Sequence, residues 1–305
     1  DQETPANEAD HQLRLASIFQ QCPRPLQMWF HSGPATGAAF SPDGRRVLSV
    51  TATETRLWDA ETGRSLASTD VGSREGQVAF APDGSRAVIG GAERPFLWDF
   101  SRGGADVIPL EETSALSSTW QHDGTRFVTL TGANEAMLWA ADGKRLAVLT
   151  HEAPAAVLTV AFVPSELAFA PGQASTELPE VVLTVDSAGD LRFWDPVNGH
   201  LEAQRSLEPK GPPWKLAALD SNFLLTAHNS EDPLAMAHAR LWSLATGGPI
   251  GPPLGHDARI EGAAFGTGSV VTWSRDGTAR LWETGSGSLK VSPMAHPSEV
   301  TAAAV

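Results

Sequence analysis

Six tryptophans recur along this chain at nearly even intervals. Leu-Trp or Phe-Trp dipeptides end at Trp58, Trp98, Trp139, Trp194, Trp242 and Trp282, spaced 40, 41, 55, 48 and 40 residues apart. A fixed period of this size means that each copy is one supersecondary unit that cannot bury its apolar face alone and must stack on its neighbours. The last copy, Gly255 to Glu283, shows the internal plan. Apolar runs at Ile260–Phe265, Val270–Trp273 and Ala279–Trp282 alternate with a glycine-rich turn at 266–268 and the Arg-Asp-Gly-Thr turn at 275–278. β-Branched and aromatic runs between Gly, Asp and Ser turn formers read as short strands.

A period near 40 residues with four short strands per copy predicts an all-β chain built as a β-propeller. The 305 residues then form one large domain rather than two average ones. The formal charge of −14 repels a phosphate backbone and argues against nucleic acid as a partner. With the one cysteine, Cys22, there is no intrachain disulfide and no cysteine-based zinc site. No apolar run reaches the roughly 18 residues of a membrane-spanning helix.

The copies resemble the WD-repeat family. Trp-Asp stands at Trp58-Asp59, Trp98-Asp99 and Trp194-Asp195, and the related strand-and-turn phrase at Phe40–Gly44 and Phe80–Gly84. The Ala- and Arg-rich phrases GPPLGH, ARLWE and FSPDGRRVLS look like bacterial members. The resemblance covers roughly residues 25 to 305. It implies six full four-stranded blades plus a partial seventh shared between the two terminal segments. It also implies a buried tetrad of His, Ser/Thr, Asp and Trp in a blade, which the sixth carries as His256, Thr272, Asp276 and Trp282. Elsewhere the hydroxyl survives as Ser49, Thr129, Thr184 and Thr226, and the histidine as His31, His151 and His296, while Ala133 and Ala188 stand at the aligned Asp sites. The polar network is therefore expected mainly in the sixth blade, the others relying on packing.

Residues 1–24 do not fit the repeat and are read as an acidic tail, or a short helix starting at Thr4-Pro5. Pro25–Phe30 is expected as the outermost strand of a seventh blade and Glu299–Val305 as its innermost one, with the two middle strands missing, as though cut from a longer chain. The fourth blade carries an insertion after Phe162, between its first two strands. The fifth carries one before Trp242, between its second and third. Phe40, Phe80 and Trp120 occupy one repeated position and are expected to fill the contacts between blades.

No constellation of catalytic residues recurs. Gly266-Thr267-Gly268 and Gly285-Ser286-Gly287 lack the lysine and following helix of a phosphate loop, and no nucleophile elbow occurs. Four histidines fall at the repeated structural position. His228 and His238, with Glu231 and Asp232, lack the ligand spacing of a zinc site. No cofactor, metal or enzymatic activity is expected. On the family's layout, the loops before each first strand and between second and third strands form one face. Glu54, Arg74, Glu75, Arg94, Glu135, Asp186, Glu231, Arg259 and Arg275 lie there, a mixed-charge rim suited to a protein or peptide. The resemblance thus implies a non-catalytic interaction scaffold or sensing module, with any effector domain elsewhere in a longer chain. A propeller enzyme with a substrate at the central channel, or a structural part of a multi-propeller array, are the alternatives.

Overall fold

The computed structural model describes residues 28–91, 95–101, 106–112, 114–168, 179–207, 216–220, 222–228 and 237–303. Within them lie six four-stranded antiparallel sheets, each made of four consecutive strands in chain order. The first holds β1 (Ala35–Phe40), β2 (Arg46–Thr51), β3 (Thr55–Asp59) and β4 (Ser65–Thr69). The second holds β5 (Gln77–Phe80), β6 (Arg86–Gly90), β7 (Phe96–Asp99) and β8 (Asp106–Pro109), and the third β9 (Ser117–Trp120), β10 (Arg126–Leu130), β11 (Glu135–Ala140) and β12 (Arg145–Thr150). The fourth holds β13 (Val157–Pro164), β14 (Glu180–Asp186), β15 (Asp190–Trp194) and β16 (Leu201–Ser206). The fifth holds β17 (Leu216–Leu219), β18 (Phe223–His228), β19 (Ala237–Ser243) and β20 (Pro249–His256), and the sixth β21 (Ile260–Gly266), β22 (Ser269–Ser274), β23 (Thr278–Glu283) and β24 (Met294–Ala295). A single 3-10 turn, Ser165–Leu167, follows β13.

Turn chemistry sets the hairpins. Gly44, Gly84 and Gly124 follow Asp in three equivalent turns and adopt φ of 69°, 68° and 71°, the left-handed region that a Cβ disfavours. The tryptophan strand recurs with an irregularity. Register shifts fall at Leu57/Trp58, Leu138/Trp139 and Phe193/Trp194 against the fourth strand of each sheet. Such bulges sharpen the local twist.

The core is a series of interfaces between successive sheets. Trp98 packs with Leu48 and Leu57 of the first sheet, and Trp139 with Val88 and Leu97 of the second. Trp194 packs with Val128 and Leu138 of the third, Trp242 with Leu183 and Phe193 of the fourth, and Trp282 with Leu225 and Leu241 of the fifth. Each indole therefore wedges its own sheet against the one before it. All six repeated tryptophans are at most 8% exposed. The innermost strands pack in the same order, β1 on β5, then β9, β13, β17 and β21. Stacked sheets in sequence make the architecture propeller-like.

No comparable packing joins β21 to β1 among the described residues. Phe40 and Trp120 show the consequence. Trp120 is 9% exposed and its Nε1 donates to the Ala79 carbonyl of the second sheet at 3.0 Å, whereas Phe40 is 64% exposed. Phe40 therefore does not fill an inter-sheet contact as expected, because among the described residues no sheet stands in front of its own. The expected terminal strands are also corrected. Residues 28–30 and 299–303 form no strand, since neither has a ladder partner for its backbone N–H and C=O groups. Both are nonetheless pinned. Arg56 Nη1 donates to the Phe30 carbonyl, and Val300 N donates to the Ser274 carbonyl at 3.2 Å. The tail at 1–24, the remainder of Pro25–Phe30, and Ala304-Val305 lie outside the described residues. The two insertions fall between β13 and β14 and between β18 and β19, and residues 169–178 and 229–236 within them are likewise outside.

Candidate functional site

Among the described residues, two kinds of connection meet at one end of the first, third, fourth and sixth sheets: the segment before the first strand and the loop between the second and third. Backbone hydrogen bonds hold them together. Ser73 N donates to Thr51 O at 2.9 Å, Ser187 N to Ala156 O at 2.8 Å and Arg275 N to Arg259 O at 3.0 Å. Val157 N donates to Ala133 O at 2.9 Å, tying the fourth sheet to the third. The loops at this end are thus fixed relative to one another by the sheets that carry them.

Beneath the loops run buried hydrogen-bonded chains. In the sixth sheet His256 Nδ1 lies 2.9 Å from Asp276 Oδ2, His256 Nε2 lies 2.8 Å from Thr272 Oγ1, and Trp282 Nε1 donates to that hydroxyl at 2.8 Å. A carboxylate only accepts, so the imidazole carries its proton on Nδ1 and Nε2 accepts from the threonine. The fourth sheet repeats the arrangement with Asp186, His151, Thr184 and Trp194 at 2.8, 2.6 and 2.8 Å. The first repeats it with Glu54, His31, Ser49 and Trp58 at 2.9, 2.6 and 2.6 Å. The third and fifth sheets keep the indole-to-hydroxyl bond, Trp139 to Thr129 at 2.9 Å and Trp242 to Thr226 at 2.8 Å. In the second, Ile89 pairs with Phe96 where the hydroxyl pairs elsewhere, and the Trp98 indole N–H is buried without a hydrogen-bond partner among the described residues.

Two expectations are corrected here. The carboxylate network is not confined to the sixth sheet, and Glu54 and Asp186 are not free rim charges but its acidic members in the first and fourth. Fixed spacing hides this. Asp276 follows its threonine by four residues, Asp186 by two and Glu54 its serine by five, and Ala188 merely occupies the aligned number. The loops differ in length, yet each delivers an oxygen to the same imidazole nitrogen.

Charge follows from this geometry. The hydrogen bond from His31, with those from Ser32 and Arg56, holds the Glu54 carboxyl down at about 2. Burial pulls Asp276 upward, but bonds from Thr278, the Asp257 N–H and His256 outweigh it and leave it at about 2. Asp186 is likewise raised by burial and lowered more by His151, the Asp190 and Ala188 N–H groups, and ends below its ordinary value. Burial pushes His256 below 6.5 against the pull of Asp276.

A set of arginines completes the chains and has a sequence signal that the reading above passed over. Arginine stands two residues before the tryptophan at Arg56, Arg192 and Arg280. Arg192 Nη1 donates to the Thr150 carbonyl at 2.8 Å and Arg280 Nη1 to that of Gly255 at 2.6 Å, in each case the residue before the network histidine. Arg56 does the same to Phe30. Arg240, at the equivalent position in the fifth sheet, lies over the Trp242 ring at 5.8 Å.

The remaining rim residues divide. Arg74 and Glu75 are exposed on the connection before β5, and Glu135 is half-buried at the start of β11. Arg259 and Arg275, 58% and 52% exposed, share the Glu261 carboxylate, and Arg275 also reaches toward Glu299 at 3.8 Å. Arg94 and Glu231 lie outside the described residues. His228 and His238 are register partners across β18 and β19, and among the described residues no group of three or more metal-ligating side chains comes together. Trp273 lies flat over Gly262 of the neighbouring strand, where a Cβ would stand 2.2 Å from its ring. Trp29, His31, Ala38, Phe40 and Val47 line a groove of about 250 Å³ on the uncovered face of the first sheet. Its polar members, His31 and Ser49, are already bonded to each other.

The chain is similar to the crystal structure of the computationally designed Ika8 protein, with a TM-score of 0.64 and 20% identity over 90% of this chain and 79% of that one. At that identity the likeness is one of fold alone. No family model matches the chain, and no curated protein matches it. The chain is an all-β protein of six repeated four-stranded antiparallel sheets with a propeller-like arrangement.

Proposed function

We propose that this chain is a WD-repeat propeller of six full blades, and that it works as a non-catalytic platform docking a protein or peptide on its loop face. Three His–hydroxyl–Trp chains closed by a carboxylate support the WD-repeat reading. They also give His31, His151, His256, Glu54, Asp186 and Asp276 a structural role, which turns attention to the loop surface. The observation that carries the docking reading is the Arg259–Glu261–Arg275–Glu299 group. It is a mixed-charge cluster in which half-buried Glu261 of β21 holds the exposed Arg259 and Arg275 of the adjoining connections. Pre-organised charge of both signs gives partner selectivity and register at modest cost in ordering.

The test is charge reversal at two ends of the molecule. The chain carrying Arg259→Glu and Arg275→Glu is expected to lose its captured partner from the source cell. Arg45→Glu, in the β1–β2 turn at the other end, is expected to keep it. Equal capture by both variants, with folding intact, removes this face as the docking surface.

A further inference from the structure

Glu112 occupies the slot that histidine fills in three other sheets. It precedes Thr129 by 17 residues, as His31 precedes Ser49 by 18 and His256 precedes Thr272 by 16. Thr129 accepts a hydrogen bond from the indole N–H of Trp139, as Ser49 and Thr272 do from Trp58 and Trp282. Both Glu112 carboxyl oxygens are buried without a hydrogen-bond partner among the described residues. The arginine that serves the histidine sheets is also replaced. Met137 pairs with Thr129 where Arg56, Arg192 and Arg280 pair with their hydroxyl residues.

We propose that Glu112 is a proton-dependent latch: as the neutral acid it stays buried in the imidazole slot beside Thr129 and keeps residues 110–112 and 114–116 against the third sheet, and on ionisation it leaves the slot and that connection loosens. An ion in this place has little to pair with. β10 presents the Thr129 hydroxyl and β11 presents Met137 in register with it. Among the described residues the cation that acts on it is Arg145 of β12, already shared with Glu111, 3.8 Å away. Burial raises the Glu112 carboxyl to about 7, against smaller lowering from Thr129 and Arg145. A carboxyl raised in the folded state stabilises most below its unfolded value and stops doing so as pH rises through the folded one. The latch therefore holds under mildly acidic conditions and releases above about 7, opposite in sign to the carboxylates of the other sheets. It stands whether or not the loop face docks a protein.

The test is hydrogen exchange of the whole chain between pH 5 and 9, corrected for intrinsic exchange. Protection of amides 110–116 in the wild type is expected to fall on the order of a hundredfold across about pH 7. Glu112→Gln, a neutral isostere, is expected to hold it constant, and protection of 150–157 beside His151 is expected to show no such step. An identical profile in wild type and Glu112→Gln overturns the proposal. Should the variant not fold, the side-chain carboxyl resonance of Glu112 in the wild type decides. A midpoint near 7 supports the latch, and one near the ordinary 4.5 overturns it.

Discussion

His151 Nδ1 lies 2.8 Å from Asp186 Oδ2, with the two side chains 0% and 3% exposed. The pair joins the connection leaving the third sheet to the second strand of the fourth, 35 residues further on. Removing the carboxylate leaves the His151 Nδ1–H and the Ala188 and Asp190 N–H groups without their acceptor, which costs about 1–3 kcal/mol for each donor that stays buried. Asp186→Ala is therefore expected to lower the unfolding free energy by about that amount, and Asp186→Asn by less, since the amide oxygen still accepts from Nδ1–H. Urea titrations of the three proteins measure this, and coincident curves would contradict it.

Asp276→Ala is expected to act alike in the sixth sheet. Its carboxylate accepts from Thr278 at 2.6 Å, from the Asp257 N–H at 3.0 Å and from His256, so truncation strips partners from several donors at once. An unchanged melting temperature would remove the claim that this network stabilises the fold.

Acid should unfold the protein through these same groups. Glu54 and Asp276 sit at about 2 against ordinary values of 4.5 and 3.8, and Asp186 is also held low. Their contribution is complete above the unfolded values and is lost as pH falls through the folded ones. His256, held below 6.5, adds a loss of the same sign as pH drops past that value. Melting temperature is expected to decline from about pH 4.5 toward pH 2, below the window in which Glu112 titrates, and to decline less steeply in Asp276→Ala. Parallel slopes would show that Asp276 does not carry the effect.

The indoles of Trp98 and Trp139 are both fully buried, but only Trp139 has a hydrogen-bond acceptor. Phenylalanine at either site loses similar apolar area. Trp139→Phe also loses the bond to Thr129, so it should cost about 1 kcal/mol more than Trp98→Phe. Denaturant midpoints compare them directly, and a larger loss at Trp98 would reverse the assignment.

Glu54 holds the entry segment through His31, the Ser32 N–H and hydroxyl, and Arg56. Glu54→Ala is expected to raise protease cleavage and hydrogen exchange at residues 28–33 with little change in the fifth and sixth sheets. Protection of 28–33 equal to wild type would place the anchor elsewhere.

The repeat was legible without coordinates because strands and turns are local chemistry. The Trp spacing, the Asp-Gly turns and the alternation of apolar runs placed the six sheets and the two insertions. Which side chains complete each buried chain was not legible. Glu54, Asp186 and Asp276 reach equivalent imidazoles from three different offsets, and Glu112 takes an imidazole's place, because loops of unequal length can deliver the same atom to the same point. Phe40 and Trp120 share one repeated position, yet only Trp120 is covered, since burial depends on whether another sheet stands in front. Spacing along the chain was enough for the strand-and-turn unit. Which polar atoms meet was settled in three dimensions, because that depends on distances across the sheets that no spacing along the chain encodes.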